Sequence, residues 1–153
     1  MVTLEGDELE NNTLLLARDV LRNNMTDHHD PARPNTQWIV KSALKDEDID
    51  LPMIILDQAN IEEATVTFTG QIPERIVVGL MVWARNSTRR DKIAQEAKAV
   101  LRDEHSADSE GTTMLASGLR YLRSTSRNSD GYIQGYSELL RIKEMDITYQ
   151  YMR

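Results

Sequence analysis

The segment from Arg75 to Arg85 constrains this chain more than any other. Between the two arginines, Ile76, Val77, Val78, Leu80, Met81, Val82, Trp83 and Ala84 form an apolar run broken only by Gly79. The run has no alternation and is rich in branched side chains. That pattern predicts a central strand buried on both faces. A central strand needs neighbours on both edges and a second layer to cover it.

The covering layer follows at once. Ile93, Ala94, Ala97, Val100 and Leu101 recur at helical spacing, while Arg90, Lys92, Glu96, Lys98 and Arg102 fall mostly elsewhere. This predicts a surface helix from Ser87 to Asp103 with one face on the sheet. Ser87 or Thr88 is the expected cap; with Thr88, Asp91 stands at the third helical position. A second helix is expected over about 5–24, where Leu9, Thr13, Leu16, Ala17, Val20 and Leu21 share a stripe. Thr3 is its candidate cap, and Glu5, Asp7 and Glu8 suit the positive end of its dipole.

Further strands are expected at Gln37–Leu44, Leu51–Leu56, Ala64–Thr69 and Met114–Ser124, with a last one where Met145, Ile147, Tyr149 and Tyr151 alternate with polar residues. Pro31 and Pro34 mark a loop, and residues 45–50 a charged turn. Residues 57–65 read as a connection and 103–113 as a polar loop. Residues 125–137, rich in Ser, Asn and Gly, read as a long mobile hairpin loop. The expected order is α-β-β-β-β-α-β-β. It describes one α+β domain over 1–153, with the first helix about 5–24 and the core sheet and second helix about 37–153. The sheet is expected to be mixed or mostly antiparallel, with both main helices on one face.

Composition narrows the function. A chain of 153 residues, 40% hydrophobic and 28% charged, can bury one real core. There is no cysteine, so disulfides, thiolate zinc sites and cysteine nucleophiles are excluded. No apolar run approaches the roughly 18 residues of a membrane span, and the first residues lack the pattern of a signal peptide, so cytosolic synthesis is expected. The sequons at Asn11, Asn24 and Asn86 then carry no weight. Arginine outnumbers lysine 13 to 5, which resembles salt-adapted proteins and fits GC-rich coding equally well. The net charge is -7, and all of it lies in residues 1–60, which hold 12 acidic and 5 basic residues; residues 61–153 hold 13 of each. Such a chain is a poor general DNA-coating protein.

Candidate chemistry is sparse. Asp27-His28-His29-Asp30 places two imidazoles beside acids, but zinc wants three or four ligands converging from the fold, and a solvated loop explains the run as well. Asp46, Asp48, Asp50 and Asp57 imitate part of a calcium loop, yet Leu51 stands where the turn glycine belongs. Gly70, Gly79, Gly111 and Gly118 are isolated, so no phosphate-binding loop is expected. Ser117-Gly118 lacks the first glycine of a nucleophile elbow. Arg89-Arg90 is a possible phosphate contact or simply a solvated helix end, without an aromatic platform for bases. No catalytic residue, cofactor site or metal site is therefore assigned. Arg123, Arg127, Asp130, Tyr132 and Tyr136 are the candidate interface, since arginine and tyrosine commonly anchor protein contacts.

The order of elements resembles that of a family. A leading helix ends before Pro31–Pro34, and a strand opens on Leu51-Pro52-Met53-Ile54-Ile55. The central strand runs straight into an amphipathic helix, and a polar loop leads to Asp146-Ile147-Thr148-Tyr149-Gln150-Tyr151. In this the chain resembles tail terminators, the head–tail joining proteins of long-tailed viruses. The long acidic turn and the polar 57–65 connection depart from the pattern and keep another neck component, a head-closure or adaptor protein, as an alternative. A small metal-dependent enzyme using His28 and His29 is the alternative of another class. The resemblance implies a structural virion protein, assembled in the host cytoplasm as a ring, commonly a hexamer. Its partners would be itself, the tail tube protein and the head connector, with DNA only in passage and no membrane. It also implies that Asp46, Glu47, Asp48 and Asp50 line the lumen or face the connector, and that the 125–137 loop docks on the tube.

Overall fold

In a computed structural model, residues 9–29, 33–41, 51–62, 74–102, 114–131 and 139–151 are described. The apolar run forms β3 (Glu74–Ala84), the middle strand of a five-stranded sheet. The order across the sheet is β1 (Ile39–Lys41), β2 (Met53–Glu62), β3, β5 (Leu140–Tyr151) and β4 (Leu119–Gly131). β1 is parallel to β2, and every other pairing is antiparallel. Helix α1 (Leu9–Asn24) packs on β1 and β2, α3 (Ser87–Leu101) on β3 and β5, and the two helices touch. A single turn, α2 (Asn35–Trp38), leads into β1. This is the expected α+β fold with a mixed sheet.

The core lies between helices and sheet. Ile76, Val78, Leu80, Val82 and Ala84 point into it from β3 and are sealed. Thr13, Leu16, Ala17, Val20 and Leu21 meet them from α1, and Ile93, Ala94, Ala97, Val100 and Leu101 from α3. Both stripes are those expected from spacing. The other face of β3 differs from expectation. Val77, Met81 and Trp83 are only half-buried, because both main helices lie on one side. A small cluster of Leu51, Met53 and Leu140, joined by Val40, Trp83 and Ile142, marks the apolar end of that second face.

A bulge explains why β2 runs longer than expected, and β4 carries a second one. In β2, Ile54 and Leu56 face the helices; Asp57 is then extra, and Ala59 and Ile61 take up the same side opposite Val78 and Ile76. Without the bulge, the polar Gln58 and Asn60 would point inward. The strand therefore continues through 57–62, where alternation alone suggests a connection. In β4 the shift falls at Leu122, between Tyr121 opposite Tyr149 and Arg123 opposite Thr148.

The expected loop over 125–137 is corrected in its first half. Residues 125–131 belong to β4 and pair with 140–146 of β5. They read as a loop because β4 is an edge strand with most side chains exposed, so it shows no buried period. Gln37 and Trp38 are helical, not extended; β1 is described over Ile39–Lys41, and residues 42–44 lie outside the described residues. Residues 115–117 form a 3-10 turn, and β4 starts only at Leu119 after Gly118, whose φ of 92° is the left-handed conformation glycine permits. The cap of α3 is Asn86 rather than Ser87 or Thr88: its Oδ1 accepts from the Arg89 N–H at 2.8 Å. The expected strand 64–69 and the loop 103–113 lie outside the described residues.

Candidate functional site

The charged surface concentrates where the β4–β5 hairpin passes the start of α3. The inward stripe of β5, apolar at Tyr149, Ile147 and Met145, turns basic at Lys143 and Arg141. Lys143 Nζ lies 3.0 Å from Asp91 Oδ1, and Arg90 Nε donates to the same oxygen at 3.0 Å. Arg141 donates to Asp130 Oδ2 at 2.6 Å, and Arg90 approaches Asp130 Oδ1 at 3.9 Å. On the other side of the hairpin, Arg127 Nε donates to Glu144 Oε2 at 3.1 Å. Arg90 is buried by this arrangement, although a pair of arginines at a helix start reads as solvated. Its burial depends on a hairpin some forty residues away, which leaves no mark at position 90.

The hydrogen bonds from Arg90 and then Lys143 hold the Asp91 carboxyl below the usual carboxylate range. A carboxylate with a depressed folded pKa adds stability above its unfolded pKa and loses it as pH falls through the folded value. Asp91→Asn is therefore expected to flatten the fall in stability on the acid side and leave its slope near neutral pH unchanged. Urea midpoints measured from neutral to acid pH check this.

A second cluster joins the end of α1 to α3. His28 Nε2 lies 2.6 Å from Glu96 Oε2, and Thr26 donates to Glu96 through both its N–H, at 2.6 Å, and its hydroxyl, at 2.9 Å. The Trp38 ring meets His28 edge-on, with centroids 5.8 Å apart, and His29 at 5.7 Å. His29 Nε2 is buried without a hydrogen-bond partner. Asp27 accepts from the His29 and Arg33 N–H groups, and the bond from His29 above all lowers its pKa. The histidines thus join a folded corner, one on Glu96 and one on Trp38. Among the described residues no three His, Cys, Asp or Glu side chains come together as a metal would require. Glu96 is 68 residues from His28, so spacing cannot reveal the pair.

The other candidates separate. Arg123 is exposed on β4, opposite Thr148. Tyr132, Tyr136, Asp46, Glu47, Asp48, Asp50 and Asp30 lie outside the described residues. Asp57 sits in the β2 bulge, and residues 53–56 are strand, which sets the calcium-loop imitation aside. Ser117 is half-buried in the 3-10 turn. On the face of the sheet away from the helices, Gly79 leaves a depression of about 180 Å³ bordered by Gln58, Asp57, Glu144 and Asp146. A Cβ at Gly79 would stand 3.3 Å from Asp146 Oδ1.

Comparison with known proteins gives little. No protein-family model matches the chain, and no curated protein matches it. Among solved structures, it is similar to a chain described as the virion of native gene transfer agent (GTA) particle. The match is 17% identical, with a TM-score of 0.41, over 73% of this chain and 78% of that one.

Proposed function

We propose that the chain is a structural virion protein. It is a subunit of the ring, a hexamer, that caps a tail tube and joins it to the head connector while DNA passes through the lumen. The observation that carries the reading is the β4–β5 hairpin. Seven residue pairs, from Thr125–Asp146 to Gly131–Leu140, continue it beyond the bulge, with β5 backed by β3 and the outer β4 strand carrying small, polar and charged side chains. Most of its β4 side is exposed, and Arg127, Asp130, Arg141 and Lys143 are paired within the hairpin or with α3. An edge strand held in register by the sheet and presenting Arg127, Asp130 and Arg123 suits docking onto another protein. Tyr132 and Tyr136, which follow in sequence, are assigned to the same contact with the tube or neck. The acids Asp46, Glu47, Asp48 and Asp50 are assigned to the lumen or connector face, where negative charge keeps phosphates sliding.

Purified full-length chain is expected to give annular particles by negative-stain microscopy and a native mass of about six copies. A monomer at every concentration overturns the reading. Arg127→Ala combined with Tyr132→Ser and Tyr136→Ser is expected to abolish joining of heads to tails. Because the Arg127–Glu144 pair is exposed, Arg127→Ala changes stability by less than about 1 kcal/mol. Joining at the normal level in that triple variant would remove the hairpin from the contact.

A further inference from the structure

The bulge in β4 gathers its arginines onto one face. In a regular strand, Arg120 and Arg123 would point to opposite faces, because side chains alternate. The register shift at Leu122 changes that. Arg120 lies opposite Gln150, Arg123 opposite Thr148 and Arg127 opposite Glu144, all on the face of the sheet away from the helices. The one acid of β4, Asp130, is opposite Arg141 of the inward stripe and pairs with it. Glu144 answers Arg127. Arg120 and Arg123 are exposed and have no ion pair among the described residues.

The strand that carries them has an open edge. β4 is last in the sheet order, so among the described residues no strand takes up the N–H and C=O groups of its outer side. It contains no proline to blunt that edge, and residues 125–128 are all exposed. Apolar surface lies at the same place. Leu122 in the bulge is 39% exposed, and Leu115 in the 3-10 turn just before β4 is 53% exposed. These are two of the three large hydrophobic side chains exposed among the described residues.

We propose that the outer edge of β4 accepts an added strand from a partner protein, an extended acidic segment whose alternate carboxylates meet Arg120 and Arg123. The inference rests on the reading of the hairpin as a docking surface and names how the partner docks. Main-chain hydrogen bonds to the open edge supply affinity, and cross-strand pairs with the arginines select an acidic segment in one register. An apolar side chain of that segment covers the leucines at the start of β4. Two other occupants fit less well. A polyanion uses the arginines and leaves the leucines and the edge uncovered, and the net charge of -7 opposes it. A second copy pairing edge to edge crowds the arginines of both copies onto one face.

The test uses the full-length chain and, as probe, a labelled peptide of alternating valine and glutamate ending in leucine. Fluorescence anisotropy reads binding, and circular dichroism checks the folding of each variant. The peptide is expected to bind more weakly as salt rises, and Arg120→Glu/Arg123→Glu to weaken it on the order of tenfold or more. Amide exchange is expected to slow on binding at alternate residues of 119–131, those whose N–H points away from β5. Binding that slows no β4 amide, or an oligonucleotide that binds in the peptide's place and is lost in the same variant, assigns the arginines to a polyanion and overturns the proposal. Dimers whose β4 amides are already slow without peptide overturn it in favour of a second copy. Peptide left unbound by the folded wild type overturns it as well; if the Arg127, Tyr132 and Tyr136 triple variant then still fails to join heads to tails, the docking surface stands without strand addition. Peptide binding together with normal joining in that triple variant keeps the added strand and removes the tail contact instead.

Discussion

Trp38→Ala is expected to destabilise the protein by about 3–5 kcal/mol, read as a lower denaturant midpoint with the slope unchanged. Trp38 is the largest of the fully buried side chains and is 1% exposed. It sits in the single turn between α1 and β1, with both histidine rings against it. Its indole N–H donates to Asn35 Oδ1 at 3.1 Å. The Asn35 amide in turn donates to the carbonyls of Arg22 at 3.0 Å and Met25 at 2.7 Å. Those carbonyls lie at and just beyond the last turn of α1, where helical partners run out. Removing the indole therefore opens a cavity and frees the side chain that satisfies the end of α1. Trp38→Phe keeps most of the volume and loses only the hydrogen bond, so about 1–2 kcal/mol is expected. Equal losses in the two variants would mean that the hydrogen bond, rather than packing, dominates.

Tyr149→Ala is expected to cost a similar 3–5 kcal/mol, and Tyr149→Phe about 1–3 kcal/mol. Tyr149 is fully buried in β5 between β3 and β4, opposite Ile76 and Tyr121. Its hydroxyl donates to the Leu101 carbonyl at 2.6 Å, at the last residue of α3. The Tyr121 ring meets it edge-on at 6.4 Å, and the Arg102 guanidinium lies 4.9 Å over Tyr121. One side chain thus ties the end of α3 to the middle of the sheet. Tyr149→Phe leaves a helix-end carbonyl without that donor in a dry site, which is why deleting one oxygen has a measurable effect. Amide exchange should rise first over the last turn of α3. Exchange rising uniformly instead would show that the bond stabilises the whole fold equally.

Burial was legible wherever it leaves a period. The run over 76–84 reads as a central strand and is one. The stripes of α1 and α3 and the alternation of Met145, Ile147 and Tyr149 mark side chains that are in fact buried. In β2 the period changes phase at Asp57, and alternation read from either side stops there. Over 125–131 of β4 no buried period exists, because most side chains of this part of the edge strand are exposed. Cap choice depends on which residue leaves the extended region last, and Asn86, with φ of -136° and ψ of 158°, is that residue.

The candidate site was less legible for a related reason. The residue types of an interface, Arg123, Arg127 and Asp130, can be picked from composition, but their pairing cannot. Arg127 meets Glu144 and Asp130 meets Arg141 only because the hairpin register sets them on neighbouring strands. His28 and His29 suggest a metal in sequence, and the fold gives one to Glu96 and the other to Trp38.

By itself, the sequence determined the fold class, the central strand, the two core-facing helices and the concentration of acid in residues 1–60. Each follows from local spacing or from a sum, and hydrophobic burial enforces spacing directly. Only the tertiary structure decided that β4 is a strand, that Arg90 is buried, and that β4 and the helix α1 with β1 stand on opposite flanks of one sheet. Those outcomes depend on which strands are neighbours, and pairing between distant segments is set by the shared core they close together, which no single segment encodes.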